Sequence, residues 1–350
     1  MQHVFDVAVI GMGPAGAQAA VSAWHQGRDV LVLDAGDVSQ RKGRAYWAKS
    51  VEIEDIPFVA PVTGPKLRAQ VQARLRALAP GAPGARGVTL RGAYVLRVAR
   101  AGDAFAIEAS TQPLRGGKIV ARETFAARTV VVATGFEDGW PEIELDAAGR
   151  RMLERYRTVF RYAGNQSGWH LCIRCDGHLH HGQHFVFLGV GEEIYEAALG
   201  AQDFTSSITI LTNGRPPGLP QAVLRQAQAR DIRIDTRRIA RHIGQGTRLE
   251  GVVFEDGEEL WADGFLTDEG LEPNTAFLED FALQRSADGL LRVGESGEAL
   301  RLDGTPEPGL YVAGDLVAGA RKLIAAAAAS GQDAGLAASD SLRRWHWPEE

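Results

Sequence analysis

The order of apolar and glycine-rich stretches at the start of the chain predicts two strands joined by a helix. Val4 to Ile10 is largely apolar, the sequence Gly-Met-Gly-Pro-Ala-Gly occupies 11–16, and a helical pattern continues to about Trp24. A second apolar segment, 29–33, ends at Asp34. Closely spaced glycines let a backbone approach a pyrophosphate at a helix N-terminus, and an acid after the second strand accepts hydrogen bonds from a ribose. The pattern therefore predicts a dinucleotide-binding βαβ unit.

Apolar positions further along predict mixed helix and sheet. We expect a helix at about 65–78, a glycine- and proline-rich loop at 80–87, strands near 92–100, 104–109 and 124–128, and a buried strand at 129–134 that ends at Gly135. The following stretch, 135–149, is acidic and contains glycine and proline. It predicts a crossover between two domains.

The strand and Gly-x-Gly pattern recurs in the middle of the chain. Residues 184–191 repeat it, with a helix expected from Glu192 to about Ala201 and a strand at 207–211. Sheet segments are expected near 232–234, 249–254 and 263–266, followed by the motif-rich stretch 309–315 and an alanine-rich helix from Lys322 towards Arg344. The sequence thus predicts an α/β protein with two Rossmann-like units.

Length and composition narrow the class of protein. A chain of 350 residues that is 45% hydrophobic predicts two domains with substantial cores. A net charge of −6 argues against a general nucleic-acid or anionic-membrane binder. The longest apolar run near the end, 323–329, is too short to cross a bilayer. With no export signal at the start of the sequence, we expect a cytoplasmic location.

The chain contains two cysteines, and they lie together in Cys172-Ile-Arg-Cys175-Asp176-Gly. A Cys-x-x-Cys pair can form and break a disulfide, because a neighbouring thiolate with a lowered pKa attacks readily. In the cytoplasm such a disulfide is more often catalytic than structural. Asp176 is a candidate to move the proton that each cycle requires, or it caps a turn.

Histidines close to the cysteines allow other interpretations. A zinc half-site would use the cysteines with His178, His180, His181 or His184, but the spacing is too compressed for the usual finger. We expect these histidines to be solvated or to line the thiol site. His170 either stabilises a thiolate electrostatically or is a surface histidine.

The order of the motifs resembles that of the low-molecular-weight thioredoxin reductases, and the resemblance extends over nearly the whole chain. The matching motifs are Gly11-x-Gly13-x-x-Gly16, Ala133-Thr134-Gly135, Cys172-x-x-Cys175-Asp176-Gly177, Pro273-Asn274-Thr275 and Gly314-Asp315. The resemblance implies a FAD-dependent disulfide oxidoreductase and a homodimer. It implies two Rossmann-like domains, the second inserted in the first: a FAD domain at 1–138 and 264–350, and an inserted NAD(P)-type domain at 139–263 that carries the cysteines.

The resemblance also implies roles for particular residues. Cys172, Cys175 and Asp176 would be catalytic, with Cys175 on the flavin side. The residues expected around FAD are Gly11, Gly13, Pro14, Ala15, Gly16, Asp34, Ala35, Val95, Ala133, Thr134, Gly135, Gly314, Asp315, Lys322, Leu323, Trp345 and Trp347. No metal is expected.

The sequence departs from this family where the family binds NADPH. The second fingerprint ends in Ile194 where the family has a small residue, and 212–217 reads Thr-Asn-Gly-Arg-Pro-Pro where the family has an arginine cluster for the 2′-phosphate. Only Arg215 is basic there, and no acid ends the preceding strand. We expect a degraded NADPH site, as in the deeply rooted and ferredoxin-type branches of the family.

The C-terminal sequence departs as well. Flavoproteins of those branches place a C-terminal aromatic over the flavin ring, and here Trp345 and Trp347 are candidates. The alternative is that both tryptophans pack on the surface or at a dimer contact.

Three functions agree with these features. The first passes electrons between flavin and the Cys172/Cys175 disulfide to a thioredoxin-like protein or a small disulfide, with ferredoxin, another flavoprotein, weakly bound NADPH or a dithiol as the donor. The second runs in the opposite direction, as a dithiol oxidase with oxygen as the acceptor. The third is a non-enzymatic flavin redox sensor.

Overall fold

The computed structural model describes residues 3–36, 38, 52–57, 59–82, 84–112, 119, 121–141, 143, 162–164 and 167–343. The chain divides into two compact units. The first unit comprises 1–44, 66–137 and 272–350, and the second comprises 45–65 and 138–271. Among the described residues, no helix has the length and apolar character needed to cross a membrane.

The first unit is built on one large sheet. Its strands are β1 (Val4–Ile10), β2 (Val30–Asp34), β3 (Val88–Gly92), β4 (Tyr94–Ala101), β5 (Ala104–Ser110), β6 (Glu123–Val132), β17 (Glu298–Leu300) and β18 (Pro306–Val312). The order is β17-β18-β6-β1-β2-β3, and β5 pairs with both β4 and β6. Its helices are α1 (Pro14–His25), α2 (Gly64–Ala77) and α6 (Ile324–Asp340), with 3-10 turns at Ala276–Leu278 and Gly314–Leu316.

Alternation along the central strand explains the two-faced core of this unit. In β1, Ala8 and Ile10 pack into one apolar cluster while Val7 and Val9 pack into another. Successive side chains of a strand point to opposite faces, so an apolar run becomes a strand buried on both sides. Helices α1 and α6 cover one face at close range, because a Cβ at Gly331 would collide with the backbone oxygen of Ala15.

The second unit contains a parallel sheet and a smaller antiparallel one. The parallel strands are β8 (Trp169–His170), β9 (Phe185–Gly189), β10 (Ile208–Leu211), β11 (Arg233–Asp235) and β15 (Gly264–Asp268), in the order β11-β10-β9-β15-β8. The antiparallel strands are β12 (Ile239–Gln245), β13 (Arg248–Phe254) and β14 (Glu259–Trp261). Its helices are α3 (Ile173–Asp176), α4 (Glu192–Gly200) and α5 (Gln221–Ala229), with 3-10 turns at Gly177–His180 and Ala201–Asp203. Strands β7 (Phe136–Asp138) and β16 (Leu271–Pro273) pair where the chain crosses between units.

The predicted α/β class with two Rossmann-like units is confirmed, but three details of the sequence interpretation were wrong. The two strands expected at 124–128 and 129–134 are one strand, β6, which ends at Val132. Its first half pairs with β5 and its last residues pair with β18. Strand β3 was missed, because Ala93 alone separates it from β4. The expected start of the last helix at Lys322 is also wrong, since α6 begins at Ile324.

The division of the chain also differs from the expected one at two places. The segment 264–271 was assigned to the FAD domain, yet β15 lies between β9 and β8 in the second unit's sheet. The segment 45–65 belongs to the second unit as well.

Candidate functional site

The glycine motif of the first unit forms a turn in which side chains have no room. A Cβ at Gly16 would collide with the backbone oxygen of Gly11, and one at Gly11, where φ is +101°, would collide with that of Ala133. Gly13 differs, because nothing lies within 4 Å of the position of its Cβ. It is the N-cap of α1, so the open space lies at a helix N-terminus, where a pyrophosphate would be stabilised.

Asp34 ends β2 directly beside this turn. Its carboxylate accepts hydrogen bonds from the backbone N–H of Met12 at 3.0 Å and of Gly36 at 3.0 Å. Arg68 contacts the same group at 3.4 Å. These contacts hold the carboxylate in place next to the glycine turn, where the sequence predicted a ribose acceptor.

The Ala-Thr-Gly turn and the Pro-Asn-Thr element lie together. Thr134 Oγ1 donates to the backbone oxygen of Asn274 at 2.7 Å, and Asn274 N–H donates to that of Gly135 at 3.0 Å. The two motifs, far apart in sequence, therefore brace each other at the end of β6.

Asp315 is the strongest indication of a ligand site in this unit. Its Oδ1 is buried and has no hydrogen-bond partner among the described residues. Burial raises the pKa of this carboxyl above its usual value, and the positive charge of Lys322 opposes the shift. A buried acceptor without a partner is costly, so its place next to a dinucleotide cradle favours a hydroxyl-bearing ligand. The orphaned oxygen and the open space at Gly13 fit a bound FAD.

Most of the remaining predicted cofactor residues lie in the first unit, and two lie outside the described residues. Those in the first unit are Pro14 and Ala15 in the first turn of α1, Ala35 after β2, Val95 in β4, Gly314 in the turn with Asp315, and Leu323 as the N-cap of α6. Lys322 Nζ lies 5.3 Å from the centre of the Phe136 ring. Trp345 and Trp347 lie outside the described residues.

The two cysteines form a disulfide in the second unit. Cys172 is the N-cap of α3, and its Sγ accepts a hydrogen bond from the Cys175 N–H at 3.2 Å. Both cysteines are half-buried, whereas Asp176 is only 4% exposed. A helix N-terminus stabilises a thiolate, so this position suits a sulfur pair that opens and closes.

A hydrogen-bonded series of side chains extends from Asp176 into the unit. Asp176 Oδ2 lies 3.0 Å from His170 Nδ1, and His170 Nε2 lies 2.8 Å from His180 Nε2. His180 Nδ1 lies 2.9 Å from Gln183 Oε1. His170 is fully buried, so its interpretation as a surface histidine is wrong, and so is the expectation of solvation for the buried His180.

The zinc interpretation finds no support in the described part of the chain. There, no group of three or more His, Cys, Asp or Glu side chains is arranged to hold a metal ion. His178 instead contacts Glu54 at 3.0 Å, and His184 contacts the backbone oxygen of Trp261 at 3.0 Å.

The second glycine motif is covered by the loop that follows β10. The N–H of Gly191 donates to the backbone oxygen of Pro217 at 2.9 Å. A Cβ at Gly218 would lie 3.5 Å from that same nitrogen, and one at Gly191 would lie 3.5 Å from Glu193 Oε2. The backbone group and the helix end that would face a pyrophosphate thus have a protein partner and an acid beside them.

Arg215, the one basic residue of this loop, is held by Glu269. Its Nη1 donates to Glu269 Oε2 at 2.7 Å, a second bond joins Nη2 to Oε1, and its Nε donates to the backbone oxygen of Thr212 at 3.1 Å. Ile194, at the position where the family has a small residue, is buried against Gly189.

Two Rossmann-like units, one with a dinucleotide cradle and one with a redox-type disulfide, define the architecture of the flavoprotein disulfide oxidoreductases. The family model described as "Pyridine nucleotide-disulphide oxidoreductase" matches residues 5–331. The chain belongs to this family, whose members bind FAD.

Curated relatives and solved structures agree with this assignment. The F component of alkyl hydroperoxide reductase from Pseudomonas putida is 26% identical across 99% of this chain and 60% of the relative, and "NADH dehydrogenase" of Bacillus subtilis is 26% identical across 97% and 59%. The chain therefore spans about three fifths of these relatives.

Among solved structures, thioredoxin reductase from Streptococcus pyogenes MGAS5005 has a TM-score of 0.76 at 19% identity, covering 98% of this chain and 99% of that one. HlmI has a TM-score of 0.76 at 22% identity, covering 98% and 94%. These likenesses confirm the thioredoxin-reductase-like fold predicted from the motifs.

Proposed function

We propose that the protein is a FAD-dependent disulfide oxidoreductase that exchanges electrons between flavin and the Cys172–Cys175 disulfide. The observation that carries this proposal is the disulfide at the start of α3 with the buried Asp176 directly after it. FAD, when bound by the first unit, supplies a ring that stores two electrons. Cys172 exchanges with the substrate disulfide, Cys175 lies on the flavin side, and Asp176 gives or takes the thiol proton.

In this proposal the substrate is a thioredoxin-like protein or a small disulfide. The half-buried cysteines support this class, since exchange requires a sulfur that another sulfur can reach. A homodimer and a cytoplasmic location remain predictions. Sedimentation of the purified protein tests the first.

We further propose that NADPH is a poor electron donor for this chain. Arg215 is paired with Glu269, and the Gly191 N–H already donates a hydrogen bond to the backbone oxygen of Pro217. Glu193 adds negative charge at the second glycine turn. Each charge-assisted hydrogen bond to a phosphate is worth about 1.5–3 kcal/mol, so losing two weakens binding by roughly 10²- to 10⁴-fold. Ferredoxin, another flavoprotein or a dithiol would then supply the electrons.

Anaerobic titration of the yellow protein tests both proposals. NADPH, NADH, reduced ferredoxin and dithiothreitol are added in turn while the flavin absorbance is recorded. We expect bleaching by dithiothreitol that is lost in the Cys172→Ser and Cys175→Ser variants, and little bleaching by NADPH at micromolar concentration. Fast bleaching by micromolar NADPH would contradict the proposal that NADPH is a poor donor. A protein that takes up no flavin would contradict the proposal of a FAD-dependent disulfide oxidoreductase.

The covered second glycine turn also supports a dithiol oxidase, because that reaction needs no nicotinamide. Oxygen uptake distinguishes a dithiol oxidase from a disulfide reductase. Dithiol-dependent peroxide formation without reduction of a thioredoxin-like protein would favour the oxidase. A non-enzymatic sensor would instead show no turnover with any donor, and partner binding that differs between the oxidised and reduced forms.

A further inference from the structure

The polar side chains behind the disulfide form one continuous series. It passes from Asp176 through His170 and His180 to Gln183, with successive separations of 3.0, 2.8 and 2.9 Å. Asp176, His170 and His180 are at most 5% exposed, and Gln183 is half-buried. The series therefore runs from the residue beside Cys175 to a side chain that solvent can reach.

The surroundings of His180 favour its neutral form. Burial lowers the pKa of this histidine below its ordinary value, and the nearby His170 lowers it further, while the bond with Gln183 and the charges of Asp176 and Asp263 oppose the shift. Its ring lies over Phe185, with 4.6 Å between ring centres. On another side, a Cβ at Gly264 would meet the imidazole at 2.5 Å. The ring is thus fixed in place and uncharged near neutral pH.

The hydrogen-bond geometry allows one consistent set of proton positions when the Gln183 oxygen faces His180. Because Gln183 presents its oxygen, His180 Nδ1–H donates to it, and the neutral His180 has only Nε2 left as an acceptor. His170 must therefore donate from Nε2–H to His180. That leaves one proton in the bond between His170 Nδ1 and the Asp176 carboxylate. The aspartate and this histidine share a single transferable proton.

Loss of that proton reverses the direction of the two bonds beyond His170. With Asp176 ionised and His170 neutral, His170 Nδ1–H donates to the carboxylate and His180 Nε2–H donates to His170 Nε2. His180 Nδ1 then needs a donor, and rotation of the Gln183 amide supplies its N–H. The same four side chains therefore satisfy two states that differ by one proton.

We propose that His170, His180 and Gln183 are positioning residues that hold a proton at Asp176 while the disulfide is closed and release it when the disulfide opens. This inference rests on the proposed role of Asp176 in thiol chemistry. The series adds a buried proton reservoir to the disulfide, so that opening it needs no proton from the solvent.

The step is balanced with dithiothreitol as the reductant. One thiolate of the reagent attacks Cys172 Sγ, the Cys172–Cys175 bond breaks, and Cys175 Sγ takes the electron pair together with the proton from Asp176. The second thiol of the reagent loses its proton to the solvent, attacks the mixed disulfide and releases Cys172 as a thiolate. The reagent is oxidised to its cyclic disulfide, and the protein disulfide is reduced.

Reduction rates of the holoenzyme test the proposal. Without oxygen, dithiothreitol reduces the disulfide between pH 6 and 9. The thiols are counted by acid quenching and alkylation, the electrons passed to flavin are counted by the loss of its absorbance, and the summed rate is divided by the concentration of reagent thiolate. We expect the wild-type rate to be independent of buffer concentration. General acid catalysis contributes typically 10²–10⁴-fold, so His170→Asn and His180→Gln should each lose about tenfold or more at pH 7 and become dependent on buffer concentration.

Two comparison variants separate the possible failures. His178→Gln changes an exposed histidine near the cysteines and should stay within about twofold of wild type, as expected for a solvated side chain. If Asp176→Asn is slow while both buried histidine variants keep the wild-type pH profile, the series has only a structural role and this inference is wrong. If Asp176→Asn is itself as fast as wild type, the proposed role of Asp176 fails instead.

The unmodified protein gives a second readout that does not depend on the folding of variants. Nitrogen-15 spectra of histidine-labelled holoenzyme distinguish the two tautomers of a neutral imidazole. We expect His180 to carry its proton on Nδ1 in the oxidised protein and on Nε2 after reduction. An unchanged tautomer of His180 across reduction overturns the inference.

Discussion

Glu269 holds Arg215 by two parallel hydrogen bonds, one of them 2.7 Å from Nη1 to Oε2. The arginine is the only basic side chain that follows β10 at the place where the family grips a 2′-phosphate. A guanidinium that already has a carboxylate partner must give it up before it binds a phosphate, and planar two-point pairs are among the stronger ones. We therefore expect the ion pair to compete with NADPH.

Releasing Arg215 should therefore improve NADPH binding selectively. We expect Glu269→Gln to lower the Kd for NADPH a few-fold while the Kd for NADH is unchanged, since only NADPH has the 2′-phosphate. Glu193→Gln, the comparison, should improve both by about 2- to 5-fold, the size of an exposed charge effect at a helix N-terminus. Fluorescence titration measures both constants. Equal gains for the two nucleotides in Glu269→Gln would contradict the competition.

A glycine-to-alanine substitution in the turn of the first unit should have different effects at Gly13 and at Gly16. Gly13→Ala adds a methyl group in open space, so the Tm of the flavin-free protein should fall by at most about 3 °C. The methyl group would occupy the pyrophosphate position, and we expect FAD affinity to fall at least about tenfold. Gly16→Ala should disrupt the fold itself, because its Cβ collides with the Gly11 backbone. Gly200→Ala, which has open space in the second unit, is the control for both measurements.

Asp315 should show a trade-off between stability and cofactor binding. Its buried Oδ1 has no partner among the described residues, and Lys322 offsets the cost of burying its charge only in part, so Asp315→Asn should raise the Tm of the flavin-free protein. The same change weakens a hydrogen bond to a FAD hydroxyl, and a bond to a charged group is worth about 1.5–3 kcal/mol, or roughly 10- to 100-fold in FAD affinity. Asp333→Asn, on the exposed side of α6, should change neither quantity. A lower Tm in Asp315→Asn would mean that the carboxylate is satisfied before FAD binds.

Acid should destabilise the second unit through Asp235. Hydrogen bonds from Arg237 lower the pKa of this carboxyl in the folded protein, against the opposing effect of burial. A lowered folded pKa stabilises the protein at pH values above the unfolded pKa of about 3.9, and the contribution is lost as the pH falls through the folded pKa. Arg237→Gln should therefore lower the Tm at pH 7, and its difference from wild type should shrink below about pH 4.

A neighbouring arginine provides the control for this prediction. Arg238 contacts Glu255 at 3.3 Å with both side chains largely exposed, so Arg238→Gln should have little effect at either pH. A loss in Arg237→Gln that persists unchanged at pH 3 would point to its packing on the Phe254 ring, 3.9 Å away, and not to Asp235.

The sequence could predict features whose parts are consecutive along the chain. The turn at 11–16 and Asp34 were found because each strand and the turn after it form one continuous pattern, and the sheet places them side by side. The closeness of Asp176 to the cysteine pair could be predicted for the same reason, and their catalytic role stays a prediction.

The buried histidines and the Arg215–Glu269 pair could not be found in this way. His170 and His180 are ten residues apart, on an edge strand and in a 3-10 turn, and no sequence period brings their rings together. Arg215 and Glu269 meet only because β15 inserts beside β9, a pairing between segments far apart in the chain. The boundary expected at 263 was wrong for the same reason, because the order of strands in a parallel sheet cannot be predicted from the local periodicity of the sequence.

Gly264 begins β15 at the spot where even a methyl group would overlap the His180 ring. The strand itself would tolerate alanine, so the restriction comes from the imidazole and not from the backbone. Among sequences related to this one, a side chain at the position of Gly264 and a histidine at that of His180 should therefore exclude each other, and the two positions should change together over evolutionary time.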